Sequence, residues 1–517
     1  MEAAALDRTG ISAYAQALRE GVRSRSRVFW IVAGLTVLAA VLRFATLGVQ
    51  AYHHDEIVTA SRVLRGSFWH AMDAVGFSES APPLYYALAW PWTQVTGTGE
   101  FGLRSLSAVA GIATVPVAYL LGRELRDRRA GIAAAALVAV NPMLLWYSQE
   151  ARSYALLTLL CAVSLLYFVR ALDNGRRRDF VLWGLASGLA LATHYFALFP
   201  IAAEALWLLY RRRRQSAAGI GIVAAFAALL APLAIHQMSY GHAEWIGNFG
   251  LGHRLWETAA TFAIGETTDI IARPEQPALA FVPLALMLAA VLLLLVRGDR
   301  EERRAAALPL GIAAAALVIP LLLAVLPGGK DFVLARNLMA ALLPLLAGLA
   351  VAVTLRRARR AGLVLGVALV AYSLGFSIWA SVSPGLQRPD WEVVAERLGE
   401  PQAPRAMVTW VLGEASLRYY LSTGSIQVVP AEEHEWLVHE IDLISDGEAP
   451  PPPERLLGPA FVQTSTIDAG RLEIRRYAVP GPGLAPLRLN LIKHADLNFR
   501  NNGVLLDGIG PGAISAG

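Results

Sequence analysis

Tyr52-His53-His54-Asp55-Glu56 lies just beyond the first long apolar run and sets two adjacent carboxylates beside two imidazoles. In a chain that is 56% hydrophobic and only 16% charged, such a cluster points to chemistry rather than packing. A charged side chain at membrane depth is costly, so acids near the boundary usually face a water-filled cavity. Half-burial raises a carboxylate's pKa towards the range in which it can accept a proton from a hydroxyl. Asp55 is therefore expected to act as a general base. Asp55 and Glu56 also suit the first turn of an amphipathic helix running to Leu64, where acids favour the helix dipole, and both roles can be filled together.

The elements that must position this cluster follow from composition. A chain of 517 residues with this apolar content and a positive mean hydropathy is a polytopic membrane protein rather than a soluble domain. Phe29 to Leu47 follows an Arg-rich start, is long enough to cross a bilayer and has no small-residue cleavage site, so it is expected to remain as an anchor. Cys161 is the single cysteine, which excludes an intrachain disulfide and a thiol-based metal site. The net charge of +5 reports topology rather than nucleic-acid binding, because the arginines cluster between apolar runs. Clusters at 23–27, 123–129, 176–178, 211–214, 297–304 and 356–360 are expected on the cytoplasmic side. The runs at 29–47, 104–122, 130–146, 154–171, 180–193, 196–210, 217–237, 278–296, 305–326, 337–355 and 362–382 give eleven spans. An odd count puts the N terminus in the cytoplasm and the C terminus outside. Pro82 to Val95 does not fit that alternation and reads as a re-entrant or interfacial helix. The hairpin from Phe180 to Tyr210 is short for two spans, so its tip, His194-Tyr195, is expected below the membrane surface, lining a cavity.

From about Pro384 prolines, charges and short alternating segments replace the apolar runs, marking a soluble extracytoplasmic α/β domain. Helices are expected over 389–398 and 414–421, and strands over 406–412, 426–430 and 472–478. Glu448 to Pro453 reads as an exposed link, and Asn501 to Gly517 as a fraying tail. No Walker motif is present, and the glycines near Gly508 lack the strand-to-helix context of a nucleotide site.

The succession YHHDEIVTA, ESAPPLYYALAWPW, GEFGLRSLSAVAGIATVPVAYLLGREL and NPMLLWYSQEARSYALL resembles the GT-C polytopic glycosyltransferases. Within these it is similar to the protein mannosyltransferase and aminoarabinose transferase group, often called family 39, over roughly 29–382. The resemblance implies a mainly α GT-C membrane domain of about eleven transmembrane helices at 29–383, after a cytoplasmic segment at 1–28 and before the soluble domain at 384–517. It also implies transfer of a sugar from a polyprenyl phosphate to an acceptor hydroxyl of a lipid, glycan or protein on the outer face of the plasma membrane. Asp55 maps onto the family's base and Glu150 onto its second acidic position, with Arg152 placed to neutralise charge. A phosphate leaving group needs fixed positive charge, and outer-side cations are scarce. Lys330 and Arg336 supply it, an arginine fork suiting phosphate geometry, with Asn337 beside them. Glu56, His54, Tyr85, Tyr86, His194 and Tyr195 are expected around the cavity. Arg62 and Arg65 suit lipid headgroups. His53, His54 and His194 could hold a divalent metal with Asp55, as some GT-C enzymes do, but the aspartate-any-aspartate pattern of those is absent around Asp55, so the histidines read rather as hydrogen-bonding residues and no cofactor is expected to be required. The rival readings are a lipid-linked sugar transporter, which should show paired broken helices, and a non-catalytic scaffold of the same architecture.

Overall fold

The computed structural model describes residues 26–241, 244–266, 278–327, 331–421, 427–428, 435–445, 457–488 and 502–507. Lys330, the 448–453 link, Gly508 and all of the 1–28 segment before Ser26 lie outside them.

In lipid a backbone can satisfy its polar groups only internally, so long apolar runs fold as helices. All eleven expected stretches contain helix. Among the described residues, seven helices are long and apolar enough to cross a membrane: Ser26–Phe44, Glu100–Leu125, Tyr154–Asn174, Ala217–Met238, Leu279–Arg297, Arg300–Val325 and Arg359–Val382. The chain is thus a multi-pass membrane protein. Three stretches are shorter, as the helices Arg177–Thr193, Leu198–Arg212 and Met339–Ala352. Leu84–Thr96, the stretch that did not fit the alternation, is a helix of 13 residues.

Close packing within the helical unit relies on small residues and buried hydrogen bonds. A Cβ on Gly184 would meet the Gly219 carbonyl oxygen at 2.6 Å, so those two helices touch backbone to backbone. Glu204, inside Leu198–Arg212, accepts from Ser164 Oγ and Trp183 Nε1, each at 2.7 Å, and Ser164 lies 2.8 Å from Ser187 Oγ. This buried polar staple joins three helices.

The stretch expected as one span at 130–146 is instead bent by 56° between Arg128–Val140 and Pro142–Ser148. Pro142 has no N–H to donate to the Val138 carbonyl, which breaks the ladder there. Asn141 restarts the helix by accepting from Leu144 N at 3.0 Å. Arg43, fully buried in the first helix, supplies the missing donors. Its guanidinium reaches the carbonyls of Ala139 at 3.0 Å and Val138 at 3.4 Å, and Ser148 Oγ at 3.1 Å. Space for it depends on Gly111, where a Cβ would fall 2.1 Å from Ser148 Oγ and 2.9 Å from Arg43 Nε.

The chain divides into two compact units. The first comprises Met1–Leu47, Ser67–Gly97 and Phe101–Trp379; the second joins Ala380–Gly517 to two earlier pieces of the chain, Gly48–Gly66 and Thr98–Glu100. In the second unit a mixed sheet is built from β1 (Arg405–Trp410), β2 (Gln427–Val428), β4 (Glu440–Ser445), β5 (Val462–Ala469), β6 (Leu472–Ala478) and β8 (Asn502–Asp507), in the order β2-β8-β1-β4-β6-β5. β3 (Glu435–Val438) and β7 (Ala485–Arg488) form a separate antiparallel pair. β1 and β4 run parallel, and helices Trp391–Leu398 and Val411–Leu421 lie close to the expected positions. The expectation of a fraying tail from Asn501 is corrected over 502–507. Those residues pair antiparallel with all of β1, because Val504-Leu505-Leu506 supplies a strand that the surrounding Gly and Asn conceal.

Candidate active site

The residues singled out in the sequence fall into two sets, one in each unit. In the second unit, the short helix His54–Val58 opens with the acidic pair, as the helix-start reading requires. His54 Nε2 lies 2.9 Å from Asp55 Oδ1, and His54 Nδ1 lies 3.1 Å from His53 Nε2. If His54 is neutral and donates to the carboxylate, its Nδ1 accepts from His53, so one tautomer satisfies both contacts. Asp55 and His54 are each 23% exposed at the side chain, the half-buried setting in which a carboxylate can act as a base. His53, His54 and Asp55 also offer one ligand atom apiece within 4.8 Å of one another, a spacing a divalent cation could use. Glu56 is fully buried: its Oε2 accepts from His53 N at 3.0 Å and from Arg388 Nη1 at 3.3 Å. It holds the start of the helix and presents no surface to a cavity.

In the first unit, Glu150 is buried in the loop after the bent helix, and its carbonyl accepts from Arg152 N at 2.8 Å. Gln149 Nε2 ties this loop to the end of the first helix, donating to Arg43 O at 3.0 Å and Thr46 Oγ1 at 2.9 Å. Arg152 Nη1 meets Glu79 Oε2 at 2.6 Å, an acid that spacing did not single out although Glu79-Ser80-Ala81 leads into Pro82-Pro83. Glu79 is 2% exposed at the side chain and Arg152 13%. Arg152→Met is expected to leave Glu79 without this cation and to destabilise the fold towards the lower end of about 3–5 kcal/mol. The double variant Glu79→Gln/Arg152→Met should lose less, as measured by unfolding of the detergent-purified protein.

Tyr85 and Tyr86 are both fully buried, leaving no ring face for a sugar in this conformation. The Tyr85 hydroxyl lies 3.4 Å from Ser107 Oγ, which donates to the Arg152 carbonyl at 3.2 Å, so Tyr85 braces the Arg152 loop. At the hairpin tip His194 stacks near Tyr154 and Phe196, each at 5.5 Å between ring centroids. Burial first, then the cations Arg152 and Arg336, push its pKa down to about 3, so the imidazole is neutral at any working pH. Tyr195 donates to Gln237 Oε1 at 2.8 Å, and Gln237 Nε2 in turn holds the carbonyls of Val75 and Ala81.

Arg336 Cζ stands 5.9 Å from the centroid of the Trp245 ring, a cation–π contact. Its loop is fixed from below by Arg254, whose fork meets Asp331 Oδ1 at 2.7 Å and Oδ2 at 2.6 Å. Arg254 also donates to the Val333 carbonyl at 3.0 Å. Asn337 turns its amide back onto the Phe332 carbonyl at 3.0 Å, so it supports the loop it belongs to. Nearby acids complete the electrostatics: Glu266 accepts from the Tyr147 hydroxyl, and Glu257 has its carboxyl pushed up by burial and by Glu266, against the pull of His253, Arg336 and Arg254. Arg254, Glu257, Glu266 and Trp245 were not visible as a site because they sit in a long loop and helix with no regular spacing.

The Arg254 fork, more than any other contact, holds the Asp331 carboxyl below its ordinary value of 3.8. A depressed folded-state pKa contributes stability that is fully present above the unfolded value and is lost as pH falls through the folded one. Amide protection across 331–338 is therefore expected to be constant from pH 7 down to pH 5 and to fall only at more acidic pH, below the ordinary Asp range. Asp331→Asn should remove that acid dependence in hydrogen-exchange measurements.

Residues 80–236 match the family model described as dolichyl-phosphate-mannose-protein mannosyltransferase. Over 187 residues, 34% of each chain, the sequence is 33% identical to an undecaprenyl phosphate-alpha-4-amino-4-deoxy-L-arabinose arabinosyl transferase of Pseudomonas aeruginosa. A relative of the same description from Pseudomonas paraeruginosa matches at 33% over the same length. The match thus spans about a third of the length of these curated relatives. Among solved structures, ArnT from Cupriavidus metallidurans in the apo state superposes with a TM-score of 0.50 at 14% identity, covering 77% of this chain and 85% of that one. At that identity the likeness speaks for the fold.

Proposed function

We propose that this chain is a GT-C polytopic glycosyltransferase that moves a sugar from a polyprenyl-phosphate carrier to an acceptor hydroxyl on the outer face of the membrane, a reading supported by the family model over 80–236 and by the fold. The observation that carries the reading is Asp55, a half-buried carboxylate at the head of a short helix in the first outer loop, with Oδ1 held by His54 at 2.9 Å. The curated relatives, named as transferases that use an undecaprenyl-phosphate sugar, support the choice of donor.

In this mechanism Asp55 takes the proton of the acceptor hydroxyl as its oxygen attacks the anomeric carbon. The bond from that carbon to the phosphate oxygen breaks, and polyprenyl phosphate leaves with the electron pair. Charge grows on the leaving phosphate as the bond breaks, so a fixed cation there stabilises the transition state more than the ground state. Arg336, seated over Trp245 and on a loop pinned by Arg254, is that cation, with Lys330 a second. Glu150 orients the acceptor, and Arg152, paired with Glu79, sets the charge around it. A single displacement inverts the anomeric carbon, and no nucleotide sugar takes part. A divalent cation, if bound by His53, His54 and Asp55, would polarise the acceptor oxygen; the hydrogen-bonded chain among them performs the base role without one. The arginine clusters support a cytoplasmic N terminus and an extracytoplasmic 384–517 domain.

Membranes carrying the protein, given polyprenyl-phosphate-linked mannose, arabinose, glucose or galactose, test the reading. Free polyprenyl phosphate appearing in step with a glycosylated product is the expected result. Intact donor appearing in the opposite leaflet, with no phosphate released, would identify a transporter instead.

A further inference from the structure

The sequence of the C-terminal domain shows no catalytic cluster of its own, yet the domain shares one compact unit with residues 48–66 and 98–100. Polar, directional contacts, buried or part-buried, tie it to those residues. Arg388 Nη1 meets Glu56 Oε2 at 3.3 Å, with the two side chains 6% and 0% exposed. That same Glu56 oxygen accepts the His53 N–H at the start of the helix bearing Asp55. Arg388 also donates its backbone N–H to Gln50 Oε1 at 3.3 Å. Tyr420 makes a second clamp: its hydroxyl accepts from Tyr52 N at 2.6 Å and donates to Glu100 Oε1 at 2.7 Å. The Tyr52 hydroxyl donates to the Thr98 carbonyl at 2.8 Å, joining the two loop pieces to each other.

The helix of Asp55 runs from His54 to Val58 and passes directly into a π-helical turn at Thr59–Val63, a helical stretch still too short to be more than marginal alone. Its geometry must be imposed from outside, and the groups that impose it come from the C-terminal domain. We infer that this domain is the splint of the catalytic loop, with Arg388 and Tyr420 as positioning residues that hold the helix of Asp55. The inference rests on Asp55 being the base. It differs from a general stabilising role because it locates the effect at the chemical step: a loosened Asp55 lowers kcat while donor binding, carried by other residues, stays intact.

The test measures donor KM, kcat and amide exchange over 53–58 in the full chain for Arg388→Met, Glu56→Gln/Arg388→Met, Tyr420→Phe and Asp55→Asn. Arg388→Met is expected to lower kcat by about tenfold or more with donor KM within about twofold, and to speed exchange at 53–58. The double variant, with no buried charge left unpaired, should recover most of both. Tyr420→Phe removes one hydroxyl and no charge, so it reports a smaller loss of the same kind even if Arg388→Met fails to fold. Unchanged kcat and exchange in Tyr420→Phe and Arg388→Met, or a loss confined to KM, would overturn the inference. Asp55→Asn separates the two ideas: full activity there would reject the base, whereas exchange in the Arg388 and Tyr420 variants still decides whether the domain holds the loop.

Discussion

Asp55→Asn is expected to lower sugar transfer by about 10²–10⁴, the range in which a positioned general base contributes. The substitution keeps the side chain's size and its contact with His54, which can turn its ring to donate or accept, so donor binding and fold should survive. The loss should therefore fall on kcat, not on KM for the donor, when initial rates are measured in proteoliposomes. His54→Gln, whose amide can still donate to Asp55, should keep more activity than His54→Leu. EDTA should leave the rate unchanged. A full loss of activity on chelation, restored by a divalent cation, would assign the His53, His54 and Asp55 trio to a metal rather than to a hydrogen-bonded base.

The second large effect lies far from any sugar chemistry. Arg43→Met should cost about 2–5 kcal/mol of stability, because the Val138 and Ala139 carbonyls lose these donors in a setting with no water to replace them. Arg43→Lys should recover less than half of that, since a single ammonium cannot reach both carbonyls and Ser148 Oγ in the geometry of a fork. Reversible unfolding in detergent measures the loss. Transfer should fall as well, because Ser148 and Gln149 carry the Arg43 contact into the loop of Glu150 and Arg152.

Much of the architecture is written in runs of hydrophobicity and in the arginines between them, which is why every expected apolar stretch contains helix. The bend at Asn141-Pro142 was hidden because composition continues across it and only the missing Pro142 N–H marks the break. Arg43 counts in the sequence as a tolerated charge in a long span; its purpose exists only once the bent helix packs against it. The Asp55 pentad stood out because charge is rare around it, whereas Glu79, Arg254, Glu266 and Arg388 act through partners tens or hundreds of residues away. Tyr85, whose type suits sugar stacking, is a buried brace, a distinction that burial alone reveals. The strand at 502–507 was misjudged for a related reason: its partner, β1, lies almost a hundred residues earlier, and strand pairing leaves no local signature.

Anomeric stereochemistry tests the central claim most directly. With a donor of defined configuration at the phosphate-linked carbon, NMR of the first product formed by the purified chain reads out whether that carbon has been inverted. A single displacement driven by Asp55, with polyprenyl phosphate leaving towards Arg336, gives the opposite configuration in the product. Retention would require two displacements through a covalent sugar–enzyme intermediate and would contradict the assignment of Asp55 as a base.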